Sequence, residues 1–81
     1  MKKTYVITGS TSGIGKAVLE KLVCENTVFA GYRNEKYVKE LEEKGAIPFY
    51  IDMEKPDSIS KACAFIKSKT DRIDTILNVA G

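Results

Sequence analysis

The chain has 81 residues, of which 43% are hydrophobic and 30% are charged, and its 13 basic and 11 acidic side chains leave a net charge of +2. This composition excludes an intrinsically disordered chain, and the length allows one small domain. The charges are mixed along the sequence, which argues against a nucleic-acid-binding face, and no apolar stretch approaches the length of a membrane span.

The histidine and cysteine content narrows the chemistry further. Histidine, the usual general base and the commonest metal ligand, is absent from the sequence, so we expect no metal site. Cys24 and Cys63 lie far apart and form no CxxC pair, which indicates reduced thiols in a cytoplasmic protein rather than a disulfide framework. The apolar stretch after the basic start ends at Thr8, too early for a signal peptide.

Four stretches rich in apolar and β-branched residues predict strands at residues 4–8, 27–32, 47–51 and 73–78. The first, residues 4–8, is a continuously apolar, β-branched run of the type that is buried on both faces of a parallel sheet. Three stretches with apolar residues at helical spacing separate them, so we expect strands and helices to alternate along the whole chain.

The three predicted helices differ in how clearly the sequence marks their ends. The inward side of the first is expected to carry Ile14, Ala17, Val18 and Leu22. The second is predicted over residues 35–44, with Val38 and Leu41 facing inward and Gly45 ending the helix. Pro56 fits the first turn of the third helix. Its expected buried stripe is Ile59, Ala62, Cys63 and Ile66.

The order βαβαβαβ predicts an α/β fold, a three-layer Rossmann-type doubly wound parallel sheet with the strand order 3-2-1-4. A complete sheet of this type continues to the order 3-2-1-4-5-6. We therefore expect residues 1–81 to be the N-terminal, dinucleotide-binding portion of a Rossmann domain that is truncated after the fourth strand.

A glycine-rich turn links the first strand to the first helix. Gly9 is expected to take unusual backbone angles, Gly13 to let the backbone approach a pyrophosphate, and Gly15 to let the helix pack closely. The helix N-terminus offers free N–H groups and the positive end of a dipole to an anion, and the hydroxyls of residues 10–12 can add hydrogen bonds. A glycine-rich connector without a ligand is the alternative.

The segment from Thr8 to Gly15 resembles the TGxxxGIG turn of the short-chain dehydrogenases/reductases, in their classical branch. Other landmarks of that family's first half follow in order. Arg33 comes after the second strand, the pair 52–53 comes after the third, and residues 78–81, Asn-Val-Ala-Gly, resemble the family's NNAG segment. The resemblance covers essentially the whole chain.

The resemblance implies an NAD(P)(H)-dependent oxidoreductase that transfers a hydride between an alcohol and a carbonyl. The cofactor-binding residues that it implies are Gly9, Ser10, Thr11, Ser12, Gly13, Ile14, Gly15, Tyr32, Arg33, Asn34, Asp52, Met53, Val79, Ala80 and Gly81. The family's catalytic serine, tyrosine and lysine have no counterparts in the chain, so we expect no catalytic residue here and no turnover by these residues alone.

The end of the second strand bears on which dinucleotide is bound. Dinucleotide-binding folds place an acidic residue about 20 positions beyond the glycines, where it binds the adenosine ribose. This sequence has Tyr32-Arg33-Asn34 there, and Arg33 supplies a planar cation suited to a 2′-phosphate. In the resembling family, arginine at this place accompanies NADP(H), although Ser12 stands where many such members carry a basic residue. NADP is favoured over NAD, with a solvated loop charge as the alternative.

The resemblance also implies roles for the ends of the third and fourth strands. The Asp52 carboxylate would accept a hydrogen bond from the adenine amino group, and the Met53 backbone would contact the ring; an ordinary turn before a helix is the alternative. Val79 replaces an asparagine and can offer only its backbone, while the small residues 80–81 would lie near the cofactor ribose. Asn78 is interpreted as structural.

One pair of residues has the spacing of the family's catalytic motif but lies in a different part of the chain. Tyr32 and Lys36 have the YxxxK spacing of the family's catalytic pair, in which a nearby ammonium lowers the phenol's pKa. The family's pair lies on a helix beyond the NNAG segment, whereas this one lies at the adenosine end. We therefore do not assign these two residues to catalysis.

Three hypotheses remain open: a short-chain dehydrogenase/reductase represented by its cofactor-binding half, a non-catalytic dinucleotide-binding module, and an inactive truncated product. The fourth strand would have a free edge and uncovered apolar side chains, including Ile73, Ile76, Leu77 and Val79. An open strand edge beside apolar surface is an association site, so the chain by itself is expected to self-associate.

Overall fold

The computed structural model describes residues 3–9 and 13–78, which form one four-stranded sheet with helices on both faces. In chain order the elements are β1 (Thr4–Thr8), α1 (Gly13–Leu22), β2 (Thr27–Tyr32), a 3₁₀ turn (Glu35–Tyr37), α2 (Val38–Glu43), β3 (Ile47–Tyr50), α3 (Pro56–Lys69) and β4 (Thr75–Asn78). All strand pairs are parallel, in the order β3-β2-β1-β4. The predicted fold class and strand order are confirmed.

The sheet separates two apolar clusters, one on each face. On the face covered by α1 and α2, the cluster is formed by Ile7, Leu19, Val28, Ala30, Leu41 and Ala46. On the face covered by α3, it is formed by Val6, Phe29, Phe49, Ala62 and Ile66. Because successive strand residues point to opposite faces, the neighbouring pair Val6 and Ile7 contributes to both clusters, and the result is three layers.

The central strands β1 and β2 are deeply buried. Ile7 and Ala30 are fully inaccessible, and Phe29 exposes only 1% of its surface. Full burial of a side chain of this size contributes about 1.5–3 kcal/mol to stability. The Phe29 ring also meets the Phe65 ring edge to face, with the centroids 6.4 Å apart. The apolar run of β1 is therefore covered on both sides as predicted, and the structure shows that β2 is covered on both sides as well.

The second helix is shorter than the sequence predicts. Residues 35–37 form a 3₁₀ turn instead of the first turn of an α-helix: the Tyr37 N–H donates to the Asn34 carbonyl and the Val38 N–H to the Glu35 carbonyl. The Asn34 side chain caps this turn by accepting the Lys36 N–H at 3.1 Å. The helix ends as predicted at Gly45, which has a φ of +92°. The Ala46 N–H donates to the Leu41 carbonyl and the Gly45 N–H to the Glu42 carbonyl, the two bonds of a Schellman motif.

The buried stripe of α3 also differs from the prediction. Ser58, Ala62 and Ile66 are buried at a regular spacing of four residues. Cys63, which was assigned to that stripe, is exposed, and Ile59 is only partly buried. Each residue is rotated by about 100° from the one before it, so Cys63 lies well away from the line through Ala62.

Two strands are shorter than predicted. β3 ends at Tyr50 rather than at residue 51, although the Ile51 N–H still donates to the Tyr32 carbonyl at 2.9 Å. β4 begins at Thr75 rather than at residue 73, and Asp74, just before it, bonds to Thr4 with its side chain as well as its backbone. A contact between Asp74 and Thr4 therefore precedes the regular pairing of β1 with β4.

That contact joins the amino ends of β1 and β4. The Asp74 carboxylate accepts a hydrogen bond from the Thr4 N–H at 2.7 Å, and the Asp74 N–H donates to the Thr4 carbonyl at 2.9 Å. Arg72 forms a salt bridge with the same carboxylate at 2.8 Å. The Thr4 hydrogen bond, followed by the Arg72 contact, lowers the pKa of Asp74 below its ordinary value.

A carboxyl whose pKa is lower in the folded state than in the unfolded state stabilises the fold above its unfolded pKa. This contribution is lost as the pH falls through the folded pKa of Asp74. We expect Asp74→Asn to flatten the acid limb of a plot of unfolding free energy against pH, measured by urea denaturation from pH 7 to pH 3. Asp71→Asn, at an exposed neighbouring position, controls for the loss of one charge. Parallel acid limbs for the parent and Asp74→Asn would contradict this role.

Candidate dinucleotide-binding site

The predicted binding segments leave the sheet at one edge. Thr8 at the end of β1 is paired with Asn78 at the end of β4, and Tyr32 at the end of β2 is paired with Tyr50 at the end of β3. Because all four strands are parallel, the residues that follow them emerge on the same side of the domain. Ligands of open α/β sheets bind at this carboxyl edge.

The turn after β1 has the backbone geometry expected of its first glycine. Gly9 has a φ of +69°, in the left-handed region that favours glycine, and α1 begins four residues later at Gly13. Gly15 is buried in the first turn of α1, in agreement with close packing of the helix. Ser10, Thr11 and Ser12, and the side chain of Ile14, lie outside the described residues, so their contacts stay predictions.

The loop after β2 presents a cation at the same edge. Arg33 and Asn34 are exposed, and within residues 3–9 and 13–78 no carboxylate forms a salt bridge with Arg33. The Asn34 side-chain oxygen accepts the Lys36 N–H. Tyr32 is half-buried and packs edge to face against the Tyr50 ring, with the centroids 6.0 Å apart. Packing therefore holds Tyr32 at the start of the loop, while the Arg33 side chain is exposed.

Two ion pairs connect α1 with the chain around α2. Lys16 lies 3.1 Å from Glu40, and Lys44 donates a hydrogen bond to Glu20. This hydrogen bond lowers the pKa of Glu20 and raises the pKa of Lys44. Pairs exposed to solvent contribute little to stability, so their main effect is on the relative position of the two helices.

The two residues with the YxxxK spacing, Tyr32 and Lys36, each contact a different aromatic ring. The Lys36 ammonium lies 5.1 Å from the centroid of the Tyr37 ring, and Lys16 of α1 lies 5.7 Å from the same centroid. Tyr32 instead packs against Tyr50. The Tyr37 ring thus lies near one cation from α1 and one from its own 3₁₀ turn. The contact with Lys16 holds the 3₁₀ turn beside α1.

The turn after β3 encloses a carboxylate. Asp52 is 8% exposed, and its Oδ1 accepts a hydrogen bond from the Glu54 N–H at 3.0 Å. Met53, the next residue, is 56% exposed. Ser58 in the first turn of α3 bonds to the Asp52 backbone. The apolar periodicity of α3 does not point to Ser58, although a serine just inside a helix that starts with Pro56 is a usable signal.

A second contact that sequence reasoning missed joins the ends of β1 and β4. The Thr8 hydroxyl donates to the Asn78 side-chain oxygen at 2.7 Å, and Thr8 is 9% exposed. This bond holds the end of β4 directly beside the start of the glycine turn and agrees with the structural role expected of Asn78. Val79, Ala80 and Gly81 lie outside the described residues, and their cofactor contacts remain predictions.

The described part of the chain contains no cluster of three or more histidine, cysteine or carboxylate side chains that could hold a metal ion. Within the same residues, no helix is both long and apolar enough to cross a bilayer. Every fully buried side-chain nitrogen or oxygen among them has a hydrogen-bond partner.

Comparison with known proteins extends this description. Two curated relatives are a diacetyl reductase [(S)-acetoin forming] of Staphylococcus epidermidis and a 3beta-hydroxysteroid dehydrogenase of Mediterraneibacter gnavus. The first is 32% identical, over 100% of this chain and 34% of the reductase. The second is 34% identical, over 99% of this chain and 32% of the dehydrogenase. The chain thus spans about a third of the length of these relatives.

The fold comparison agrees with the sequence comparison. A short-chain type dehydrogenase/reductase from Mycobacterium ulcerans superposes with a TM-score of 0.79 and 29% identity, over 98% of this chain and 32% of that structure. The family model described as short chain dehydrogenase matches residues 3–81. On the strength of that match, which includes the glycine turn and all four strands, the chain belongs to the short-chain dehydrogenase family.

Proposed function

We propose that this chain binds NADP(H) and forms the cofactor-binding part of an oxidoreductase that transfers a hydride between an alcohol and a carbonyl. Proteins of the family use nicotinamide dinucleotides, and in such a protein the nicotinamide ring donates or accepts the hydride. The observation that carries the proposal is the placement of Gly9, Arg33 and Asp52 at one edge of the sheet.

The first of these features suits a pyrophosphate. The left-handed φ of Gly9 turns the chain sharply at the end of β1, and α1 starts at Gly13 with its N-terminus at the carboxyl edge. The free N–H groups and the positive dipole end at a helix N-terminus stabilise an anion. The described backbone therefore fits the phosphate groups of a dinucleotide.

The other two features suit the adenosine end. Arg33 is an exposed guanidinium without a salt-bridge partner in the described chain, and a guanidinium binds phosphate through two parallel hydrogen bonds. Asp52 offers a carboxylate to the adenine amino group. This combination favours the 2′-phosphate of NADP(H) over the free ribose hydroxyl of NAD(H). We assign binding rather than catalysis to the chain, because no serine, tyrosine or lysine matches the family's catalytic positions.

The choice of cofactor is tested at Arg33. Replacing Arg33 with alanine should weaken NADP(H) binding by roughly ten- to a hundredfold, since it removes charge-assisted hydrogen bonds to the 2′-phosphate. Binding of NAD(H) should change much less. Calorimetric titrations of both dinucleotides at one ionic strength provide the measurement.

Lys39→Ala is the matched control for Arg33→Ala, because it removes one exposed cation from α2 while leaving the loop after β2 intact. It should leave the ratio of the two affinities unchanged. Equal losses of NADP(H) and NAD(H) affinity in Arg33→Ala would remove the argument for the 2′-phosphate.

The pyrophosphate contact is tested at Gly13. Gly13→Val adds a branched side chain at the start of α1, where the proposed pyrophosphate approaches the backbone, and should strongly reduce the affinity for both dinucleotides. Ala17→Val places the same side chain on the same helix and controls for the β-branched residue, because Ala17 is exposed in the structure although its spacing predicts the inward side of the helix. Circular dichroism checks the fold of each variant. Unchanged affinity in a folded Gly13→Val protein would reduce the turn to a connector.

The surface of β4 generates a prediction about the chain on its own. In the described sheet β4 pairs only with β1, and Ile76 is 64% exposed while Ile73 is 42% exposed. Apolar side chains beside an open strand edge favour pairing with another chain. We expect the 81-residue chain to self-associate in sedimentation velocity as its concentration rises.

Ile76→Lys should reduce that association, because charged side chains on an edge strand oppose pairing between chains. Met53→Lys places the same charge at another exposed apolar residue, away from β4, and should leave association unchanged. A parent chain that stays monomeric at every concentration, or equal effects of the two lysines, would contradict association through β4.

A further inference from the structure

Ser58 is a buried hydroxyl whose hydrogen bonds leave its own helix. It is 5% exposed and stands at the third position of α3. Its oxygen accepts a hydrogen bond from the Asp52 N–H at 2.9 Å. It also lies 2.7 Å from the Asp52 carbonyl and 2.8 Å from the Lys55 carbonyl. A hydroxyl has one hydrogen, so it donates to one of these carbonyls or is shared between them.

This arrangement differs from helix capping. A capping serine precedes the helix and accepts from the N–H groups of the first turn. The capping position of α3 is Lys55, whose side chain makes no such bond. Ser58 instead turns back to the segment before the helix, where it accepts the Asp52 N–H and lies within hydrogen-bonding distance of the Asp52 and Lys55 carbonyls. The helix therefore uses this hydroxyl to fix the turn after β3.

The held backbone carries the carboxylate at the carboxyl edge. The Lys55 N–H donates to the Asp52 carbonyl at 2.9 Å, and the Glu54 N–H donates to Oδ1 of Asp52 at 3.0 Å. The direction of the Asp52 side chain thus follows from a turn that Ser58 closes. Ser58 itself is fixed by α3, whose Ala62 and Ile66 pack in the cluster on that face of the sheet.

We propose that Ser58 is a positioning residue for adenine recognition: through the Asp52 backbone, it orients the carboxylate that accepts the adenine 6-amino hydrogen bond. The inference rests on the proposed function, in which Asp52 meets the adenine. A serine that served stability alone would affect all nucleotides equally. A positioning serine affects the discrimination between adenine and a base that lacks the amino donor.

The probes are NADP⁺ and its hypoxanthine analogue, in which a 6-oxo group replaces the 6-amino group. The analogue loses the donor and brings an acceptor oxygen towards the Asp52 carboxylate. Calorimetry on the parent chain should give an affinity ratio of about ten or more in favour of adenine, as expected for one hydrogen bond to a charged group. In Ser58→Ala the ratio should fall to within about threefold of unity.

Two further variants isolate the mechanism. Ser60→Ala removes an exposed hydroxyl from the same helix and should keep the parent ratio. Asp52→Ala should lower the ratio as far as Ser58→Ala does, and the double variant should lower it no further, because residues that act through one contact are not additive. If Ser58→Ala does not fold, Ser58→Cys retains the volume with a weak hydrogen-bonding group and takes its place in the comparison.

The outcomes separate the two proposals. A parent chain that binds neither dinucleotide overturns the proposed function and this inference with it. A parent that prefers adenine, together with a folded Ser58→Ala or Ser58→Cys that keeps the full preference, overturns the positioning role alone. Losses in the ratio that add in the double variant would also overturn it.

Discussion

The double-sided burial of β1 and β2 is the constraint on which the rest of the structure depends. Ile7 and Val28 pack under α1 and α2, while Val6 and Phe29 pack under α3. Parallel strands joined by helices satisfy this constraint, and they bring every strand out at the same edge. The gathering of the glycine turn, the Arg33 loop and the Asp52 turn is a consequence of how the core is buried.

The two ends of the sheet have different roles. At the amino end, Asp74 joins β4 to β1 through two hydrogen bonds with Thr4, so its carboxylate is used within the fold. At the carboxyl end, Arg33 is exposed and the Asp52 carboxylate lies at the open edge. Polar groups that face a ligand need partners that leave some of their bonding capacity free. The Asp74 carboxylate, which bonds to Thr4 at the amino end, and the exposed Arg33 at the carboxyl end follow that division, while Asp52 is 8% exposed and uses one carboxylate oxygen to accept the Glu54 N–H.

Hydrogen bonds made by side chains then fix the conformation of the segments that follow the strands. Asn34 shapes the loop after β2, Ser58 closes the turn after β3, and Thr8 holds the end of β4. Each of these bonds contributes little to the stability of the fold, since one hydrogen bond contributes about 0.5–1.5 kcal/mol net. These bonds matter because each one fixes the position of a segment at the carboxyl edge, where the apolar core ends.

The sequence by itself determined the strands, their order and the family resemblance, because these depend on local patterns: apolar runs, glycine spacing and the residues that follow each strand. It also located Gly9 and Gly45 as glycines with special conformations, since their positions at element ends reveal them. Only the tertiary structure decided that Cys63 is exposed, that residues 35–37 form a 3₁₀ turn and that Ser58 holds Asp52. The exposure of Cys63 depends on which helix face meets the sheet. The other two outcomes depend on hydrogen bonds between side chains and backbone groups outside the regular pattern. The periodicity of a single helix or strand predicts neither of these.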